Sequence, residues 1–366
     1  MVDLRFRDIV RFSCGCNMVA DFELKKLVKP LQDWFDGHAR VLPWRDDPKA
    51  YKVWISEIML QQTRVEAVKP YFARFMEALP DVEALAACPE DRYLKLWEGL
   101  GYYNRVRNMQ KAARVIVSEY GGDFPADYEK LLSLPGLGHY TAGAVSSIAF
   151  GIPMPAVDGN VLRVLSRVTA SYEDVLKQSV KTAMEAEVKK IIPADRAGDF
   201  NQALIEIGAI VCVPNGKAKC EICPLAFLCE AYKKGIVDEL PKKKVKKERR
   251  IEDRTILILK EGDRVGIRKR PSKGLLAGLY ELPGLEGHLS EEEVLAQVKA
   301  WGYAPLRILP LTGAKHIFSH VEWHMTGYRI RVDELEKNCT EPLIFAGLDE
   351  LEKVYPIPSA FEAYKK

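Results

Sequence analysis

From about Asp21 to Ile236, apolar residues recur at three- and four-residue spacing. Leu24, Leu27, Val28, Leu31, Trp34 and Phe35 form one stripe, and Val180, Met184, Val188 and Ile191 form another. That period belongs to helices with one buried face. Pro30 falls inside the first stripe, so this helix either starts there or kinks. Breaks at Leu79-Pro80, Gly121-Gly122, Pro135-Gly136 and Pro193 cut the region into many short helices. After Arg254 the period changes to two. TILIL (255–259), the turn EGD and RVGIR (264–268) read as a hairpin, and Val321, Trp323 and Met325 alternate with polar residues as on a half-buried strand. SEEEVLAQVKAW (290–301) reads as a helix capped by Ser290, with Glu293 three positions on. The pattern therefore predicts an all-α region followed by an α+β domain.

The 366 residues suit two domains, and 48% apolar with 29% charged residues is enough apolar material for two cores. A net charge of +3 does not announce nucleic acid, although a basic stripe can sit inside a balanced total. KKKVKKERR (242–250) carries eight charges in nine residues and reads as part of a linker, either a solvated spacer or a contact to phosphates. The expected divisions are an N-terminal extension over 1–20, a helical domain over 21–234, a basic linker over 235–253 and an α+β domain over 254–366. No apolar run approaches the roughly 18 residues of a membrane span. The first twenty residues are broken by Asp3, Arg5, Arg7, Asp8 and Arg11, so no secretory signal is expected and the default location is cytoplasmic, or nucleoid-associated in a prokaryote. Cys14 and Cys16 form a C-x-C pair to which no role is assigned.

Four of the eight cysteines, Cys212, Cys220, Cys223 and Cys229, fall within 18 residues. Cysteines bunched this tightly in a cytosolic chain point to metal more than to disulfides. Four thiolates suit either zinc or a [4Fe–4S] cluster, and spacing alone does not choose.

Three further features carry chemistry. LPGLGHYTAGA (134–144) makes a tight turn into a helix, where Gly136 and Gly138 let backbone amides face outward as a phosphate seat. In isolation, such a turn is also a common helix connector. Asp158, in PAVDGNVLRVLSRV, stands just before a helical run. It is at least an N-cap, and nearby amides and the helix dipole are expected to keep its pKa low. Glu57 lies among Trp54, Ile55, Ile58, Met59 and Leu60, a setting that raises a carboxyl pKa. One protonated acid and one anion form the pair that glycosidic bond cleavage needs.

LPWR (42–45), VWISEIMLQQTRV (53–65), LGYYNRVRN (100–108), LPGLGHYTAGA, VDGNVLRV (157–164) and the four-cysteine loop, in this order, resemble the helix-hairpin-helix DNA glycosylases of the endonuclease III superfamily. Within it the chain resembles the MutY family of adenine DNA glycosylases, and residues 254–366 resemble a Nudix-type domain. The resemblance implies a [4Fe–4S] cluster on the four cysteines, although the first gap is seven residues where the family usually has six. It implies Glu57 as the acid that protonates N7 of adenine, Asp158 as the stabiliser of a cationic sugar, and Asn160 as a group that orients the site. Tyr140 stands where the lyase branch has its Schiff-base lysine, which implies base removal without strand cleavage. Arg40, Trp44, Arg45, Leu60, Thr63, Leu100 and Gln202 are implied around the substrate, with Gln62 and Tyr102 as wedges in the duplex. Phe318, Ser319 and His320 in KHIFSHVEW (315–323) are implied as readers of 8-oxoguanine. Glu291, Glu292 and Glu293 do not reproduce a Nudix metal box, so that domain is expected to read the lesion, not to hydrolyse. The implied partner is double-stranded DNA with adenine opposite 8-oxoguanine or guanine, bound by a monomer. Two rivals remain: a glycosylase for oxidised pyrimidines, and a non-catalytic iron–sulfur DNA-binding protein.

Overall fold

The computed structural model describes residues 23–244, 248–333 and 339–365, and the backbone of two short antiparallel strands, β1 (Ile9–Arg11) and β2 (Asn17–Val19). Cys14, Cys16 and most of the expected extension lie outside the described residues. The chain forms two compact units. One comprises Met1–Ala86 and Asn108–Val245, the other Ala87–Arg107 and Lys246–Lys366.

The helices run in order α1 (Val28–His38), α2 (Ala50–Leu60), α3 (Val65–Ala78), α4 (Val82–Ala87), α5 (Glu90–Leu96), α6 (Asn104–Tyr120), α7 (Tyr128–Ser133), α8 (His139–Phe150), α9 (Gly159–Val168), α10 (Gln178–Ile191), α11 (Ala197–Ile210) and α12 (Glu230–Lys233). Pro30 sits in the first turn of α1, where a missing N–H leaves no bond unmade. A 3-10 turn over Leu24–Leu27 precedes it, and the stripe Leu24, Leu27, Leu31, Trp34 and Phe35 is buried. The stripe on α10 is buried too, through Val180, Met184 and Val188. These faces pack with α9, α11 and α12 into one core.

Two elements have no polar face to speak of. On α2 every residue from Val53 to Met59 is buried, Glu57 included, and on α8 every residue from Thr141 to Ser147 is buried. Helices α9 and α11 approach so closely that a Cβ on Gly208 would lie 2.6 Å from Asn160 Cβ. That crossing brings the start of α9 beside the end of α11, where the cysteine loop begins.

The second unit is built on a mixed sheet of β3 (Arg250–Glu261), β4 (Arg264–Lys269), β5 (Tyr280–Glu281), β6 (Gly284–Glu286), β7 (Pro305–Ile317), β8 (Val321–Val332) and β9 (Ile344–Ala346). The order is β5-β4-β3-β8-β7, with β6 on β3 and β9 on β4; β3 and β8 run parallel. The expected β3–β4 hairpin is present, pairing Lys260 with Val265. The TILIL run is continuous because both faces of β3 are covered. Ile256 and Ile258 join Trp323, Met325 and Phe361 on one side, while Leu257 and Leu259 join Val294 and Val298 of α13 (Glu291–Ala300) on the other. Ser290 and Glu293 form the expected capping box on α13.

Segment 87–107 is tied into this unit by polar contacts. Lys95 Nζ donates to the carbonyls of Leu351 (3.1 Å) and Tyr355 (3.0 Å). Asp91 accepts from Lys269 Nζ at 2.8 Å, and Arg107 Nη2 donates to Ala277 O at 2.7 Å.

Candidate active site

Glu57 projects from the buried helix α2, and the Tyr140 hydroxyl, from the first turn of α8, donates to its Oε2. Burial pushes the Glu57 pKa up to about 7; the Tyr140 hydrogen bond opposes the rise, the nearby Asp158 charge adds to it, and Arg45 lowers it. Burial, together with the charges of Glu57 and Asp158, pushes the Tyr140 phenol far up, so it stays a donor. The arrangement is a carboxyl that holds a proton near neutrality and faces a second carboxylate.

Asp158 is the N-cap of α9. Its Oδ1 accepts from the amides of Asn160 and Val161, both at 2.8 Å, and its Oδ2 accepts from Asn160 Nδ2 at 2.7 Å. The expected low pKa is corrected here. Burial raises it, and the amides of Val161 and Asn160, the Asn160 side chain and the Arg163 charge pull it back without cancelling the rise. Asn160 is oriented in turn by Arg163, whose Nη2 donates to Asn160 Oδ1 at 2.8 Å and to Gly208 O at 2.6 Å, while its Nε donates to Cys212 O at 2.7 Å. Arg167 Nη1 lies 3.2 Å from Cys212 Sγ.

Cys212, Cys220, Cys223 and Cys229 line a single pocket whose other walls include Val164, Val168, Ile207, Val211 and Leu225. The long first gap is taken up by a loop closed by Lys219 N donating to Val211 O at 3.0 Å. Among the described residues no three Cys, His, Asp or Glu side chains converge on one ion. Four thiols around one apolar pocket suit a group held by four thiolates, whether a single tetrahedral ion or a multi-iron cluster with one thiolate at each iron. Burial raises the thiol of Cys223 to about 12, with neighbouring thiolates adding to the rise.

Arg40 and Arg45 both end on Glu206 of α11, a buried carboxylate. Arg40 Nε and Nη2 donate to its two oxygens at 2.6 and 2.9 Å, and Arg45 Nη2 donates at 2.9 Å. Burial alone would raise Glu206, but these hydrogen bonds hold it below the usual carboxylate range. Trp44 is buried edge-on to Phe72, Leu60, Thr63 and Gln202 are half-buried, and Gln62 is exposed. Gln62 has φ +59, a left-handed conformation that costs a non-glycine residue about 1–2 kcal/mol. Strain of this kind gathers at functional turns. At the hairpin, Gly136 has φ +80, and a Cβ there would meet Asn108 Cβ at 2.6 Å, so glycine is required. Gly138 is the N-cap of α8 with φ −95 and open space beside it, and no side chain caps the helix.

In the second unit Tyr102 also has positive φ, +47, and is half exposed, while Leu100 before it is buried. Phe318 packs edge-on to Trp323 at 4.9 Å, and Ser319 and His320 are exposed in the β7–β8 turn. Tyr102 OH and Ser319 Oγ are 3.0 Å apart.

Residues 55–193 match the model of the HhH-GPD superfamily of base excision DNA repair proteins, and residues 254–366 match that of the NUDIX domain. The adenine DNA glycosylase of Mus musculus is 34% identical over 85% of this chain and 72% of its own length. The chain belongs to the adenine DNA glycosylase family. A Buchnera aphidicola adenine DNA glycosylase is 33% identical over 83% of this chain and 85% of its own length. The solved chain of a non-covalent endonuclease III–DNA complex is 28% identical, with a TM-score of 0.50, over 58% of this chain and 96% of that one. This adenine glycosylase acts on DNA in base excision repair. Its second domain holds Glu291, Glu292 and Glu293 in the first turn of α13, where Glu293 is spent on the cap. Sequence reasoning missed Glu206, Arg163 and Arg167. Each is a charged residue on an otherwise apolar helical stretch, the signal that did find Glu57.

Proposed function

We propose that this glycosylase removes adenine opposite 8-oxoguanine, and opposite guanine more slowly, as a monomer that hydrolyses the glycosidic bond and leaves the strand intact. The observation that carries the chemistry is the buried Glu57 at about 7 beside Asp158. With adenine flipped from the stack, Glu57 gives its proton to N7. The C1′–N9 bond then breaks with its electrons going to the base, and Asp158 offsets the positive charge left on the sugar. Water adds at C1′ and gives its proton to the Glu57 carboxylate, which restores the acid. General acid catalysis contributes about 10²–10⁴-fold, and a fixed counter-charge in a dry site adds several kcal/mol more. Asn160, Gln202, Leu60, Trp44, Arg45, Arg40 and Thr63 form or brace the adenine pocket. Gln62 and Tyr102 enter the opened duplex, Leu100 lies among the groups around the substrate, and Gly136 and Gly138 seat a phosphate. Tyr140 has no amine, so no imine forms.

The four cysteines hold a [4Fe–4S] cluster. When bound, it cross-links residues 212–229, while Cys212 O already anchors Arg163 and through it Asn160 and Asp158. Iron and sulfide at about four each per chain is the expected analysis.

The deciding experiment incubates duplexes holding adenine opposite 8-oxoguanine, or thymine glycol, with and without hot alkali. Cleavage at adenine only after alkali is expected. Alkali-independent nicking, release of thymine glycol, or binding with no base release each removes the reading.

A further inference from the structure

The chain reaches Asp158 through a stretch, residues 151–157, that belongs to no helix or strand. Pro153 and Pro155 within it have no N–H to give. Ala156 and Val157, directly before the carboxylate, are buried. Buried amides and carbonyls outside a helix or sheet must find partners elsewhere.

One side chain supplies them. Asn201 of α11 is fully buried, and its Oδ1 accepts from Ala156 N at 3.1 Å. Its Nδ2 donates to Met154 O and to Ser147 Oγ of α8, both at 2.8 Å. The carboxamide thus uses its acceptor and both donors. It ties the approach to Asp158 to α11, and to the helix that carries Tyr140. Close packing surrounds the amide. A Cβ on Gly198, three residues earlier on α11, would lie 2.8 Å from Ser147 O, and a Cβ on Gly143 of α8 would lie 1.9 Å from Pro155 O. The stretch is therefore pressed onto the α8 backbone and hydrogen-bonded to α11. The cap bonds orient the Asp158 carboxylate on α9. The direction from which the chain enters that cap is set by Asn201.

We propose that Asn201 is a positioning residue for glycosidic bond cleavage: its carboxamide fixes the entry to the α9 cap and so holds the Asp158 carboxylate where charge develops on the sugar. The inference rests on the reading of Asp158 as the counter-charge.

The test uses the full-length protein and two unreactive duplexes with 8-oxoguanine in the opposite strand. One carries a neutral tetrahydrofuran abasic site, the other a cationic pyrrolidine in place of the sugar. The ratio of their dissociation constants reads the counter-charge without any chemistry, and single-turnover excision at saturating protein reads the rate. Asp158→Asn is the control and is expected to collapse both. Asn201→Ala removes all three bonds. It is expected to lower the preference for the cationic duplex about 10-fold and excision about 10- to 100-fold, the scale of a small misplacement of a catalytic group. Affinity for the neutral duplex should be unchanged. Asn201→Ser keeps a hydroxyl and leaves a polar space in which a water satisfies the freed groups, so it decides the matter if Asn201→Ala does not fold. The same pattern is expected there, more weakly. If Asp158→Asn leaves the preference and the rate intact, the underlying reading of Asp158 fails. If Asp158→Asn lowers them while the folded Asn201 variants keep the parental preference, the positioning role is overturned, whatever their melting temperature. Equal losses of affinity for both duplexes overturn it as well.

Discussion

Burial moves Glu57 to about 7, so near neutral pH the folded chain keeps about half of these carboxyls protonated. Excision that needs this proton should decline as pH rises through about 7. It should also decline in acid, below a pKa for Asp158 that burial has placed above the ordinary carboxylate range. The same shift bears on stability. A carboxyl whose folded pKa exceeds its unfolded one contributes stability that is fully present below the unfolded pKa and is lost as pH rises through the folded one. The loss is up to ~3 kcal/mol above pH 7. Glu57→Gln removes the ionisation. It should cut single-turnover excision by about 10²–10⁴-fold while mispair binding persists. It should also raise the urea midpoint above the parent's at pH 8, with the gap closing towards pH 4. Near-normal excision, or a midpoint gap that does not change with pH, would contradict the assignment. The raised Glu57 was legible because its neighbours in sequence are its neighbours in space. Asp158 was not, because its cap amides are local and visible while the burial that outweighs them arises only when the domain packs. Glu206 was equally hidden, since its partners Arg40 and Arg45 lie more than 160 positions away.

Among the elements, the hairpin before α8 allows the sharpest contrast. Gly136 is in the left-handed region and pressed against Asn108, whereas Gly138 is extended with nothing near it. Gly136→Ala should cost at least ~1–2 kcal/mol from backbone strain alone. It should also shift the turn, weakening DNA binding on all sequences alike. Gly138→Ala should cost within ~1 kcal/mol of folding stability, the scale of an N-cap change. Any loss of DNA affinity beyond that would report a phosphate meeting the new methyl group. Thermal unfolding and salt-dependent binding of the two variants check this, and equal stability losses would show that the turn is not strained as described. The periodic elements were legible for the same physical reason as the turn: α1, α10, α13 and the β3–β4 hairpin each announce themselves through local pattern and caps. Buried-all-round helices such as α2 and α8 have no stripe to read, and the parallel pairing of β3 with β8 joins residues some 70 positions apart that no local pattern can couple.

At the scale of the molecule, the model of the glycosylase superfamily spans 55–193, yet residues 87–107 within it group with the C-terminal domain. Lys95, Asp91 and Arg107 hold that segment through carbonyls and a carboxylate-lysine pair, and Tyr102 reaches Ser319. Removing residues 246–366 would therefore do more than delete a reader. It would strip partners from the turn that carries Tyr102. These partners are three backbone carbonyls and one lysine, each hydrogen bond worth about 0.5–1.5 kcal/mol net, so the truncated chain should still fold. Glu57, Tyr140, Asp158, Asn160 and the four cysteines all remain in the first unit. The truncated protein should thus excise adenine opposite guanine at a rate within about threefold of the intact one once DNA is saturating, since the acid and its counter-charge are untouched. Its preference for 8-oxoguanine should collapse further than in Ser319→Ala, because Phe318, His320 and the restraint on Tyr102 go together. Affinity for both duplexes should fall, because the Tyr102 turn loses its brace. Single-turnover rates at saturating protein, with binding measured separately, distinguish these effects. A truncated chain that discriminates as well as the intact one would place lesion reading in the helical unit. One that binds normally but has lost the chemistry would mean that residues 246–366 support the catalytic carboxyls themselves.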